Sequence, residues 1–255
     1  MINSEKEGHM SKKLAVVALL CTVLTACGGS GDDDTPVPEP TPQASPEGFW
    51  VGHASTGTDV FVAVLEDGQS WGIYASGGYI VGALTGTTSF RGDQLSGSGR
   101  DFNLPARSVS DASYAGTFSA RNQIDVSLSN GSTFTGRYDD SYDQPASLAT
   151  LVGFFSGEGV TGTTFPQAYG VSIGVDGLIT LPSTQGCGGA GWVLPRASGK
   201  NVYDVTITFQ GSTCALGHGT TVRGIAVYDT AQRSLWALAL NSAKSDGFIY
   251  VARKD

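Results

Sequence analysis

The sequence predicts an all-β protein made of two similar antiparallel units of about eight short strands each, barrels or sandwiches, following a disordered tether. Three observations predict it. Glycine supplies 36 of the 255 residues, about twice the usual share, and glycine at that density disfavours helix interiors. From Gly48 onward apolar residues recur with a period of two, the signature of half-buried strands. The two halves also resemble each other. Gly48-Phe-Trp-Val-Gly-His-Ala-Ser-Thr-Gly-Thr58 aligns with Gly153-Phe-Phe-Ser-Gly-Glu-Gly-Val-Thr-Gly-Thr163, with coincident Gly, Phe, Gly, Thr, Gly and Thr.

The first unit is assigned to residues 48–146. Trp71 to Tyr74 and Tyr79 to Leu84 flank Ser76-Gly77-Gly78, which reads as a hairpin. Ile124, Val126 and Leu128 alternate with Asp125 and Ser127. After Asn130-Gly131 the alternation resumes as Phe134, Gly136 and Tyr138, a strong hairpin signal. Ser147 to Leu151 is the one plausible helical turn, at the junction. The second unit covers residues 147–255, where Tyr203, Val205, Ile207 and Phe209 share one strand face. Within the duplication, Asp67-Gly68 is matched with Asp176-Gly177, Ile124 to Leu128 with Tyr203 to Ile207, and Phe134 to Tyr138 with Val222 to Tyr228. Closure or sheet packing would remove exposed strand edges from each unit.

Residues 1–26 read as a secretory signal, with residues 1–9 a mis-called start or an unused extension before Met10. Met10-Ser-Lys-Lys precedes an apolar run from Leu14 to Leu24, then Thr25-Ala26-Cys27. That run is shorter than the roughly 20 residues a membrane-spanning helix needs. Leu24-Thr25-Ala26-Cys27 resembles the lipobox of bacterial lipoproteins. The resemblance implies cleavage after Ala26 and diacylation of the Cys27 sulfur. Several acyl chains on one residue hold a protein to a bilayer where a single chain does not. Gly28 and Gly29, in place of the Asp that favours inner-membrane retention in such proteins, imply an outer-membrane address, facing either the surface or the periplasm. Residues 27–47 form the lipidated cysteine and a spacer. Pro36, Pro38, Pro40, Pro42 and Pro46 favour extended polyproline II there.

Charge narrows the partners. The mature chain carries 12 basic and 21 acidic side chains, net −9; residues 48–146 are net −5 and residues 147–255 net +1. An acidic chain is a poor ligand for nucleic acid, whose affinity rests on neutralised phosphates. Beyond Cys27, the mature chain holds the pair Cys187 and Cys214. In an oxidising compartment this pair is most simply a disulfide.

Catalytic and cofactor chemistry finds no support in the motifs, so a non-enzymatic protein without cofactor or metal is expected. His53 and His218 stand alone, without HExxH or a Cys/His cluster. Asp139-Asp140-Ser141-Tyr142-Asp143 lacks Ca²⁺-loop spacing and reads as a solvated turn. Gly157-Glu-Gly-Val-Thr-Gly162 fits GxGxxG, yet a strand rather than a helix follows. Arg91-Gly92-Asp93 reads as turn chemistry. Of Trp50, Trp71, Trp192 and Trp236, three fall in alternating strands, where burial is expected over sugar stacking.

In layout (Gly-rich anchor, spacer, then β units) the chain resembles surface lipoproteins of the transferrin-binding and factor-H-binding type, without their detailed barrel pattern, so their ligands do not carry over. It also resembles uncharacterised proteobacterial lipoproteins with a Gly-aromatic-x-x-Gly opening strand and a Ser-Leu-Ala-Thr-Leu junction, here Ser147 to Leu151. The expected function is that of a surface-exposed, lipid-anchored binding module for a host or environmental protein, glycan or small ligand. A periplasm-facing assembly protein is the alternative, and an unrecognised hydrolase comes third.

Overall fold

The computed structural model describes residues 44–255; the segment expected to be a signal, Cys27 and most of the proline-rich stretch lie outside them. Eight strands make the first unit: β1 (Gly48–Ala54), β2 (Asp59–Val64), β3 (Gln69–Ser76), β4 (Tyr79–Arg91), β5 (Gln94–Asn103), β6 (Ser108–Ser119), β7 (Gln123–Leu128) and β8 (Thr133–Asp139). Eight more make the second: β9 (Gly153–Thr161), β10 (Gln167–Ile173), β11 (Leu178–Thr184), β12 (Cys187–Pro195), β13 (Tyr203–Gln210), β14 (Thr221–Asp229), β15 (Ser234–Leu240) and β16 (Gly247–Lys254). Each set is a closed antiparallel barrel in which every strand pairs with its sequence neighbours. β1 closes on β8 with Gly52 opposite Gly136, and β9 closes on β16 with Gly159 opposite Tyr250. Closure decides between barrel and sandwich, and it leaves neither sheet with an unpaired edge.

The hairpins expected from Asn130-Gly131 and Gly77-Gly78 are formed as β7–β8 and β3–β4. Gly131, Gly77 and Gly78 all have positive φ, which the turns require. A short 3-10 helix (Asp140–Asp143) and a one-turn helix α1 (Leu148–Leu151) join the barrels, the latter where the sequence places a helical turn. Duplication is visible in matched backbone. Gly48 and Gly153 open the first strand of each barrel with φ of 149° and 142°. Asp67 and Asp176 each accept the backbone N–H two residues on, in the turn between second and third strands.

Two of the matched strand pairs need correction. Ile124 to Leu128 lies in β7, the seventh strand, whereas Tyr203 to Ile207 lies in β13, the fifth of its barrel; the topological counterpart of β7 is β15. Likewise β8 corresponds to β16, not to the β14 segment Val222 to Tyr228. Alternation is common to all sixteen strands, so it marks a strand without giving its ordinal place.

Three apolar clusters hold the structure. One fills the second barrel with Phe155, Val171, Ile179, Tyr203, Phe209 and Phe248 among others. Another gathers at one end of the first barrel, around Trp50, Leu95, Phe118, Ile124 and Phe134. The third is a seam between the barrels' outer walls, with Phe49, Ala63, Ile73 and Phe102 from the first and Ile225, Val227, Leu238 and Ile249 from the second. Phe61 meets Trp236 edge-on across it at 4.4 Å between ring centroids.

Ions flank this seam. Arg196, with its side chain only 13% exposed, donates to Glu66 at 2.7 Å and Asp67 at 2.5 Å on the first barrel, and to Asp204 at 2.7 Å on its own. Asp143 takes Arg121 at 2.5 Å and Lys200 of the second barrel at 2.9 Å. The Arg121 guanidinium holds the Asp143 carboxyl well below the usual carboxylate range, with Lys200 and Tyr138 adding to the effect. The turn read as solvated is therefore an ion-paired link between the barrels.

Candidate functional site: a hollow first barrel

Equivalent strands produce unlike interiors. The second barrel leaves a void of about 30 Å³ among Val171, Ile179, Val205, Ile207, Phe248 and Tyr250. The first encloses a cavity of about 390 Å³. Side-chain size at inward positions accounts for the difference. Each strand points alternate residues inward, and in the first barrel these include Val60, Val62, Val64, Ser70, Gly72, Gly86, Thr88, Gly99 and Val126. At its inward positions the second barrel carries Phe155, Tyr169, Tyr203, Phe209, Phe248 and Tyr250. The first barrel's inward rings are placed differently: Trp50, Phe118 and Phe134 gather at one end, and Tyr74 and Tyr114 lie against Gly82 and Gly97, so the glycines and valines between them leave the lumen open.

The ends differ as well. The first barrel is closed where its strands begin. Trp50, fully buried, donates its indole N–H to the Pro46 carbonyl at 2.9 Å, and Phe118, Phe134 and Leu95 pack around it. Leu151 of α1 plugs the corresponding end of the second barrel. At the opposite end, the second barrel is covered by the β13–β14 loop, residues 211–220, which the Cys187–Cys214 disulfide ties to β12. Leu216 of that loop packs on the core. A cavity of about 110 Å³ remains beneath it, beside Thr164, Gln167 and Thr213. The matching β5–β6 connection of the first barrel is four residues, 104–107, so this mouth stays open, rimmed by Thr56, Thr58, Pro105, Asn130 and Ser132.

Polar groups punctuate the largely apolar lumen at two places. The Tyr114 ring lies over Gly97, where a Cβ would collide with it. Its hydroxyl meets Thr88 Oγ1 at 2.7 Å and Ser70 Oγ at 3.2 Å, and Ser70 and Thr88 also share a hydrogen bond. Nearer the mouth, the Tyr74 ring lies over Gly82 and its hydroxyl donates to Asp101 Oδ1 at 2.8 Å. Burial, reinforced by the Asp101 carboxylate, pushes the Tyr74 phenol far above its ordinary range, so it stays a donor. Arg100 alternates with Asp101, and its guanidinium turns to the outer face, where Nη1 donates to Asp111 at 2.8 Å. Two buried donors, Trp71 Nε1 and Arg100 Nε, have no partner among the described residues. Both belong to the outward-facing row Ala63, Trp71, Thr85, Arg100 and not to the lumen.

The residues singled out in the sequence scatter. Cys187 and Cys214 are bonded, 2.06 Å between sulfurs, as expected, while Cys27 lies outside the described residues. Gly157 to Gly162 lies largely within β9 and makes no phosphate loop. Arg91-Gly92-Asp93 forms the exposed tip of the β4–β5 hairpin. His53 contacts Asp59 at 2.8 Å on the surface, and His218 Nδ1 accepts from the Gly211 N–H. Trp50 and Trp71 are buried, Trp236 is half-buried in the seam, and Trp192 is exposed. None of these lines the cavity except Trp71, through its strand. The lumen was missed because its signal is a deficit: small residues at every other position of strands whose facing partners are unknown until the barrel closes.

No family model matches this chain, and no curated protein matches it. Among solved structures, a protein of unknown function from the DUF3598 family of Nostoc punctiforme is similar over 82% of this chain and 96% of that one, at 9% identity and a TM-score of 0.32. A likeness of that degree carries no functional argument.

Proposed function

We propose that this chain is a non-enzymatic, lipid-anchored envelope protein, exposed at the cell surface, whose first barrel binds a small, largely apolar molecule in its lumen. The observation that carries this reading is the cavity of about 390 Å³ in one barrel beside a filled sister barrel of the same topology. Its size and its few convergent polar groups are those of small-ligand sites. The lipobox at Cys27 supplies the address, at the outer membrane.

A neutral, environment-sensitive dye such as N-phenylnaphthylamine tests the lumen on the mature chain. Saturable fluorescence enhancement is expected. The double substitution Val62→Phe, Val126→Phe places two rings in the cavity and is expected to weaken dye binding at least about tenfold without lowering the melting temperature, because apolar groups added to a void do not overpack it. Absence of dye binding to the parent, or equal binding by the filled variant, refutes the reading.

A second reading, an assembly protein facing the periplasm, is favoured by an exposed apolar strip on the second barrel, Leu178, Trp192 and Leu194 on neighbouring strands. Proteinase treatment of intact cells carrying a C-terminal tag, with Cys27→Ser as the control for lipidation, separates the two. Digestion on intact cells is the expected result. Protection until the outer membrane is opened favours the assembly reading.

A further inference from the structure

We propose that the lumen selects ligands that carry a protonated amine on an apolar body, with Asp101 as the residue that holds the amine; this rests on the lumen being a binding site. Asp101 sits one inward step below Asn103 at the mouth of β5, opposite Leu84, with the apolar chamber below it. Along the cavity wall it is the charged side chain that faces inward, since Arg100 turns to the outer face. No cation pairs with it among the described residues, and its hydrogen bond comes from a neutral phenol that occupies Oδ1. Oδ2 is left for a ligand. Asp101 is only partly buried at this open mouth, where water solvates it in the free protein, and an ammonium group entering the chamber supplies both the charge and the donors that replace that water.

The same geometry discriminates against acids. Residues 48–146 contain no lysine and are net −5; Arg100 on the cavity wall is engaged by Asp111 on the outer face and Arg107 in the loop at the mouth lies over the Phe165 ring, so a fatty-acid carboxylate entering the lumen would meet Asp101 before any uncommitted cation. The Ser70, Thr88 and Tyr114 hydroxyls bond to one another. They accommodate a neutral polar group deeper in the chamber and offer no charge.

Three probes of one chain length decide the matter: octylamine, octanol and octanoate, each used at neutral pH to displace N-phenylnaphthylamine from the mature chain. At that pH the amine is protonated, like a lysine side chain. Octylamine is expected to displace the dye at a concentration about tenfold lower than octanol, the factor for one charge-assisted hydrogen bond, and octanoate is expected to be weakest. Asp101→Asn should bring octylamine to within about twofold of octanol, the ratio being read within the variant so that any change in dye affinity cancels; Asp101→Ser repeats the comparison with a smaller side chain. Octanol or octanoate matching octylamine on the parent protein overturns the proposal, whatever the variants do. So does an amine preference that survives in both variants. A parent protein that binds no dye overturns the lumen reading instead.

Discussion

Ile225→Arg is expected to lower the melting temperature by roughly 10 °C and to open the seam between the barrels. Ile225 is 1% exposed on the outer wall of β14, within the apolar cluster that joins the two barrels. An arginine there is either buried without a partner, at a cost of about 4 kcal/mol or more, or reaches water by parting the seam. For a folded region of this size 1 kcal/mol corresponds to roughly 2–4 °C. Calorimetry with limited proteolysis of the junction, residues 140–152, reads both consequences. A melting temperature within about 2 °C of the parent would show that the seam does not couple the barrels.

Removing the disulfide should cost about 3 kcal/mol, because Cys187 and Cys214 are 27 residues apart and the bond restricts a loop of that length in the unfolded chain. Cys187→Ala with Cys214→Ala is therefore expected to melt roughly 8 °C lower, and adding reductant to the parent should give the same shift. The loss belongs to the second barrel, whose mouth the tied loop covers. Dye binding in the first barrel should persist at temperatures where the double variant is folded. An unchanged melting temperature would mean that the packing of Leu216 and its neighbours holds the loop without the bond.

Much of this architecture is legible residue by residue. Ile124, Val126 and Leu128 announce a strand face, Asn130-Gly131 announces the turn after it, and the paired glycines at 48 and 153 announce two copies of one plan. Cys187 and Cys214 form the expected pair. These features are local, or come from counting, and the backbone obeys them wherever the strands lie. The strand equivalences assigned to Tyr203 to Ile207 and Val222 to Tyr228 failed because they ask for ordinal position, and alternation does not count strands.

Asp101 shows the limit from the other side. Its neighbours Arg100 and Phe102 are an ion-paired outer side chain and a buried seam residue, so the strand reads apolar and charged on both faces. In the first barrel the outward faces of β1, β2 and β3 bear Phe49, Ala63 and Ile73, as apolar as the inward ones. A period of two then separates the faces without saying which is the lumen and which is the seam.

What the sequence by itself determined is the strand content, the duplication, the turns and the cysteine pair, because each follows from residues a few positions apart or from composition. Only the tertiary structure decided that one barrel is hollow, that its mouth is open while its sister's is tied shut, and that Asp101 faces the hollow. The reason is geometric. A cavity is the difference between the space eight strands enclose and the volume of the side chains they jointly point into it, and that sum exists only after residues from Trp50 to Tyr138 have been brought around one axis.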